Sequence, residues 1–435
     1  MHRFLLFVLL LAACHHPSDA GPVSFAPTLS AHELWSGGTA TITDAYFAVA
    51  EPVLELGSDT VPTSRIDDST YLLMLPRASG TFPMRVIAGE QAMPLGDVTL
   101  HGFDNVRTGP FMSGQPYWLP GGAPRVFAGA NHGAAIIDLR TLTPLYSVAD
   151  SISTPDCIFT PSPTHRSDRF VMMGKRTTGT GCGPAILWTL TEPPVALDSI
   201  VCCATNWYTS GQPSPGRWIF NWNNHNNFYV CESSCVVGFF NTSDGPNGVT
   251  ISPRADRFLW LPADRPVIYD AHTLDTAYVL TGFMRLQGAF SLEGDTLAVV
   301  ASEDSYPTYR NKHILAVRAA NGEVLRDVRV DTLYPGDSAL IEGPVAFDPV
   351  HPWLYATMFT RPVGDSVWHP SIIVLDRANW TVLGVLETPE PFAYLYHGAA
   401  LVPDPPDHRV YLVNTVTSYS VHDTPGVIFQ YSTPP

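Results

Sequence analysis

Cysteine is the residue type whose placement in this chain carries the most chemical weight. Of the seven, Cys157, Cys182, Cys202, Cys203, Cys231 and Cys235 fall in one stretch, and Cys14 stands alone near the start. Thiols at such density either pair as disulfides in an oxidising compartment or bind a metal as thiolates. The paired CxxC spacing of structural zinc is missing, so no metal is assigned and disulfides are expected. Six cysteines admit fifteen pairings. Cys231-Glu232-Ser233-Ser234-Cys235 reads as a hairpin loop clipped at its base, Cys157 with Cys182 is a second candidate pair, and the connectivity stays open.

Amides and imidazoles come next. Asn221-Trp222-Asn223-Asn224-His225-Asn226-Asn227 surrounds one indole and one imidazole with amide side chains. Paired amide hydrogen bonds beside an aromatic platform suit a sugar or a peptide, which makes Trp222 and His225 candidate ligand-binding residues. The plainer reading is a polar hairpin loop built from asparagines, which tolerate left-handed backbone. His132, His165, His351, His369 and His397, with Glu303, Asp304 and Glu342, are further candidates for a site assembled from separate loops. The chain has no Gly-x-Ser-x-Gly elbow, no His-Glu-x-x-His and no phosphate-binding glycine loop. No catalytic residue and no cofactor is assigned.

Cys14 ends a short export-type segment. Arg3 supplies a positive start, Phe4 to Leu11 is an unbroken apolar run, and Ala12-Ala13 are small. That run is about half of the roughly 20 residues a spanning helix needs, so it predicts a cleaved signal over residues 1–13. Leu11-Ala12-Ala13-Cys14 resembles the lipobox of bacterial lipoproteins. The resemblance implies a membrane partner held through acyl chains on the Cys14 sulfur, each buried CH₂ contributing ~0.8 kcal/mol. His15, in place of an acidic residue after the cysteine, implies sorting to the outer membrane, facing the periplasm or the surface.

Composition narrows the partners. A net charge of −16, with Lys175 and Lys312 the only lysines, leaves no basic stripe for a phosphate backbone, so no nucleic acid is expected. With 45% hydrophobic and 15% charged residues the chain should pack a core rather than stay disordered.

The elements that would position these residues read as strands throughout. After a tether at 14–22, residues 23–103 alternate in the manner of a small sandwich: Ser36-Gly37-Gly38-Thr39-Ala40-Thr41-Ile42-Thr43, with Ala40, Ile42 and Tyr46 on one side; Val53-Leu54-Glu55-Leu56; Tyr71 to Leu75; and Phe82 to Ala88. The Gly-Gly-Thr start and the aromatic ending that first long strand, Tyr46-Phe47, resemble the IPT/TIG branch of immunoglobulin-like domains.

Residues 104–435 repeat. A turn followed by a strand recurs seven times: Pro124-Arg125-Val126-Phe127, Asp168-Arg169-Phe170-Val171, Gly216-Arg217-Trp218-Ile219, Asp256-Arg257-Phe258-Leu259, Gly294-Asp295-Thr296-Leu297, His351-Pro352-Trp353-Leu354 and Asp407-His408-Arg409-Val410. A hydrophobic strand, an aspartate and a turn follow several copies, at Asp138, Asp270 and Asp376, where the carboxylate suits a reversal by accepting backbone N–H bonds. This pattern resembles the YVTN-type and WD40-like propellers of exported bacterial proteins. It implies an all-β fold, an immunoglobulin-like sandwich followed by a seven-bladed β-propeller, in which a segment near Asp104 to Thr108 supplies the missing outer strand of the last blade. The function expected is an envelope lipoprotein whose propeller binds a protein or glycan. The alternatives are a propeller hydrolase or lactonase with its site at the channel mouth, and a structural envelope component.

Overall fold

The computed structural model describes residues 24–109, 117–119, 123–130, 133–147, 157–162, 164, 166, 168–176, 185–189, 191, 193–200, 207–222, 227–231, 235–239, 249–260, 266–303, 311–330, 338–340, 343–361, 369–389, 399–414 and 426–435. These residues form an all-β protein, with single 3-10 turns at Ala45–Ala48 and Pro405–Asp407. The chain divides into two compact units. One holds the described residues to Leu34 with Thr39–Pro76 and Thr81–Thr99; the other holds Trp35–Gly38, Arg77–Gly80 and Leu100–Pro435.

The first unit is built from two antiparallel sheets. Thr28–Leu29, Thr39–Thr43, Thr70–Met74 and Thr63–Arg65 pair in that order; Gln91–His101, Gly80–Ala88, Pro52–Leu56 and Asp59–Val61 form the body of the other sheet. Period-two alternation buries Ala40 and Ile42, Leu54 and Leu56, Tyr71 and Leu73, and Met84, Val86 and Ala88. The first long strand is shorter than its sequence suggests. It stops at Thr43, because the Asp44 carboxylate accepts the Tyr46 N–H at 2.8 Å and caps a 3-10 turn. The extra twist brings Phe47, rather than Tyr46, into the core, edge-on to Tyr71.

Among the described residues the second unit contains seven antiparallel sheets, none closed on itself. In chain order their strands are Tyr117–Leu119, Arg125–Ala130, Gly133–Asp138 and Pro144–Ser147; Cys157–Ser162, Arg169–Arg176, Ala185–Thr189 and Ala196–Ile200; Trp207–Ser214, Arg217–Trp222, Asn227–Cys231 and Cys235–Phe239; and Val249–Ile251, Arg257–Trp260, Val267–Asp270 and Thr276–Val279. The fifth sheet holds Met284–Phe290, Thr296–Ser302, Asn311–Arg318 and Val324–Arg329. In the sixth, Ser338–Leu340 and Val345–Phe347 both pair with Trp353–Arg361, followed by His369–Asp376 and Val382–Glu387. The seventh takes Ala399–Asp404, Arg409–Asn414 and Val427–Ser432 from the C-terminus and Phe103–Thr108 from far upstream, with Val106 opposite Phe429 and Thr108 opposite Val427. The seven turn-and-strand copies in the sequence are the second strands of the seven sheets.

Apolar residues from neighbouring sheets meet between them. Ile219 packs with Phe258 and Tyr269 between the third and fourth sheets, and Leu259 and Ile268 with Leu297 and Leu315 between the fourth and fifth. Val300 and Ile314 join Leu354 and Ile373 between the fifth and sixth; Tyr355 and Ile372 join Val410 and Phe429 between the sixth and seventh. Val126 and Ile137 pack with Val402, Tyr411 and Val413, so the first sheet also covers the seventh.

Two repeated turns fix the hairpins. Between first and second strands, Ser252 Oγ donates to Asp256 and Ser291 Oγ to Asp295, at 2.8 and 2.9 Å. Between third and fourth strands, the N–H groups of Leu142, Leu274, Gly322 and Trp380 donate to the carbonyls of Asp138, Asp270, Arg318 and Asp376, four residues earlier. Those four donors all have positive φ, +58°, +66°, +77° and +62°. A left-handed residue closes each turn, and glycine meets that need in only one of the four. The aspartates act as expected: Asp138 accepts from the N–H groups of Arg140 and Thr141, Asp270 from those of His272 and Thr273, and Asp376 from that of Ala378.

Candidate functional site

In a four-stranded antiparallel meander, the connection from second to third strand and the connection onward to the next sheet leave from the same end. Trp222 is the last residue of a second strand, opposite Trp207 on one side and Asn227 on the other, so the Asn223–Asn226 connection leaves from that end of the third sheet. His225 lies outside the described residues.

Of the cysteines, Cys157 opens the first strand of the second sheet. Cys231 and Cys235 lie opposite one another across the third-to-fourth hairpin of the third sheet. Directly opposed residues have Cα atoms about 4.5–5.5 Å apart, within the range a disulfide spans. The described residues contain no disulfide bond, and Cys14, Cys182, Cys202 and Cys203 lie outside them.

Among the described residues the candidate histidines form no cluster with candidate acids that could hold a metal ion. His132, His165 and His397, like Asp304 and Glu342, lie outside the described residues. His351 is part of a packed turn: its ring stacks on Trp353 at 4.1 Å and its Nδ1 sits 3.3 Å from Asp348. Asp348 is buried and accepts from the N–H groups of Val350 and His351 and from the Tyr355 hydroxyl. Burial, reinforced by that carboxylate, pushes the Tyr355 phenol well above its ordinary value. His369 opens the third strand of the sixth sheet, opposite Thr360.

One polar cluster joins the sequence candidate Glu303 to two residues that were not candidates, His313 and Asp327. His313, on the third strand of the fifth sheet, is 2% exposed. Its Nδ1 lies 2.8 and 3.1 Å from the two carboxylate oxygens of Asp327 on the fourth strand, and its Nε2 lies 3.4 Å from Glu303 Oε1, just past the second. Phe283 packs edge-on to the ring. Besides Glu303, the clue in the sequence is a histidine opening the run His313-Ile314-Leu315-Ala316-Val317, every residue of which is buried.

Ionic contacts gather at the turns of the opposite end. Arg140, in a third-to-fourth turn of the first sheet, donates through Nε and Nη2 to the buried Asp404 of the seventh, at 2.8 and 2.5 Å, and also faces Asp407. The Asp404 hydrogen bond raises the Arg140 guanidinium further above its ordinary value. Arg107, in the upstream strand of the seventh sheet, donates to the carbonyls of Leu139 and Arg140. Arg217 repeats the device on the carbonyls of Ala271 and His272, and Tyr278 on that of Ala319. At Asp270, burial alone would push the carboxyl up, but the Thr273 and His272 N–H groups and Arg257 outweigh it and hold it below the usual range.

Fold and turn chemistry therefore define an all-β protein of repeated antiparallel sheets of four or five strands. No protein-family model matches the chain, and no curated protein matches it. Among the described residues no helix is long and apolar enough to cross a membrane.

Proposed function

We propose that the chain is an envelope lipoprotein, anchored through acylated Cys14, whose seven sheets are the blades of a β-propeller that binds a protein or glycan at the end bearing Trp222 and His225. The observation that carries this reading is the order of contacts in the second unit. Each sheet packs on the next, and the first strand of the first sheet, Tyr117–Leu119, lies against the first strand of the seventh, Ala399–Asp404. That order suits a ring, in which every apolar sheet face is covered by a neighbour. A ring gathers the second-to-third and onward connections of all seven blades into one rim. Such a rim lets a polar and aromatic loop be read together with its neighbours. The sandwich is an IPT/TIG-like spacer in this reading, and disulfides brace the second and third blades.

Two experiments test it separately. Labelling with a palmitate analogue should mark the wild-type chain and spare Cys14→Ser; label retained in the variant excludes the anchor. Glycan and peptide arrays probed with wild type and Trp222→Ala/His225→Ala should show signals at least tenfold weaker for the variant. Equal signals exclude that rim loop as the binding surface.

A further inference from the structure

We propose that His313 and Glu303 bind a divalent cation of the zinc class, with Asp327 orienting the imidazole behind it. All three residues belong to the fifth sheet, so the inference stands whether or not the seven sheets form a ring.

Proton placement makes the case. Asp327 presents only acceptors to the imidazole, so the proton of a neutral ring sits on Nδ1 and is donated to that carboxylate. The Nε2 lone pair then faces the Glu303 carboxylate, one acceptor against another, in a place where Nε2 has no hydrogen-bond partner among the described residues. A metal cation between them relieves that opposition, as would a second proton on the ring, and the two are told apart by the experiment below. The separation of 3.4 Å exceeds the usual N–H···O range. It matches the ~3.4 Å edge between two ligands of a tetrahedral ion with Zn–N and Zn–O bonds of about 2.0–2.2 Å. A carboxylate on the far ring nitrogen is the arrangement that orients metal-binding histidines and raises their basicity.

The ligand pair selects the ion. Imidazole nitrogen with one carboxylate oxygen suits zinc, cobalt or nickel, whereas magnesium and calcium take oxygen ligands. Glu303 is 55% exposed, which gives the ion a path from solvent, while His313 is held on one side by Phe283. Exposed Arg329 sits opposite His313 in the strand register and limits the negative charge of the site. With two protein ligands and water in the remaining positions, this is an open site of exchangeable metal.

The test uses the full chain without a histidine tag, stripped with a chelator and titrated with cobalt(II), whose visible absorption reports coordination. We expect saturable absorption in the wild type, its loss in His313→Gln, affinity at least tenfold weaker in Glu303→Gln, and affinity 10- to 100-fold weaker in Asp327→Asn. Glu303 is exposed, so its variant keeps the test valid even if His313→Gln fails to fold. Nitrogen NMR of the imidazole at saturating zinc should show Nε2 without a proton. Absorption unchanged in Glu303→Gln overturns the proposal. So does a His313 ring protonated on both nitrogens under zinc, which would mean that a proton alone occupies the gap.

Discussion

Removing the Asp404 charge should loosen the seam between the first and last sheets. Asp404 is buried, and both its oxygens are engaged by Arg140, 264 residues away in the chain. Breaking a buried pair from one side costs about 3–5 kcal/mol when the survivor is left uncompensated, and much less when the survivor can be solvated. The two partners differ in that respect: Arg140 is 33% exposed and still faces Asp407, whereas Asp404 has no access to water. Arg140→Met, which strands the buried carboxylate, should therefore cost about 3–5 kcal/mol. Asp404→Asn leaves a guanidinium with water and a second carboxylate, and should cost about 1–2 kcal/mol. The double variant should cost less than the sum, with a coupling of about 1–3 kcal/mol. Urea unfolding followed by tryptophan fluorescence measures all three. Equal costs for the single variants, or strict additivity in the double, would falsify the claim that this ion pair holds the first sheet to the seventh.

Three further outcomes are expected. Asp270 and Asp295 both sit below their ordinary values in the folded chain, Asp295 because the burial that would raise it is outweighed by the side chains of Ser291 and Thr296, with Arg254; such groups contribute stability that is complete above about pH 4 and lost as pH falls through the folded value. The urea midpoint should thus drop on acidification below that point, and Asp270→Asn should shallow the drop; an unchanged acid limb refutes the assignment. Gly322→Ala should destabilise by about 2–4 kcal/mol, since a Cβ there would lie 2.4 Å from the Tyr278 ring at a φ of +77°, while Leu274→Gly should stay within about 1 kcal/mol, relief of its left-handed backbone offsetting lost packing. Non-reducing peptide mapping of chain isolated from an oxidising compartment should recover Cys231 linked to Cys235; free thiols at both would rule that pairing out.

The all-β class and the placing of seven second strands were legible because alternation and turn residues act over a few positions. Val126, Phe258 and Leu297 each follow a turn and one polar residue, a local signal that does not depend on how the sheets are arranged. The pairing of Phe103–Thr108 with Val427–Ser432 was also foreseeable, since the last repeat is a strand short. Other features need three dimensions. The strand end at Thr43 depends on one carboxylate reaching a backbone N–H, and the left-handed residues at Leu142, Leu274 and Trp380 carry no glycine to announce them. Glu303 was a candidate from the sequence, but its grouping with His313 and Asp327 was not legible, because register alone brings together residues 303, 313 and 327. Asparagine and histidine content around Trp222 was legible, but the end of the sheet from which that loop leaves follows only from strand order.

The borrowed strand of the seventh sheet sets a schedule for biosynthesis. Phe103–Thr108 emerges from the ribosome before any of the seven sheets, yet its partner strand, Val427–Ser432, is made only after the other six sheets. While those six are made it waits as an unmated edge, free to pair with other strands. Such distant contacts fold slowly, because the chain between them must be brought together before the pairing rewards it. Termination anywhere before Val427–Ser432 leaves that edge permanently exposed, so the final sheet reports whether synthesis has passed all seven.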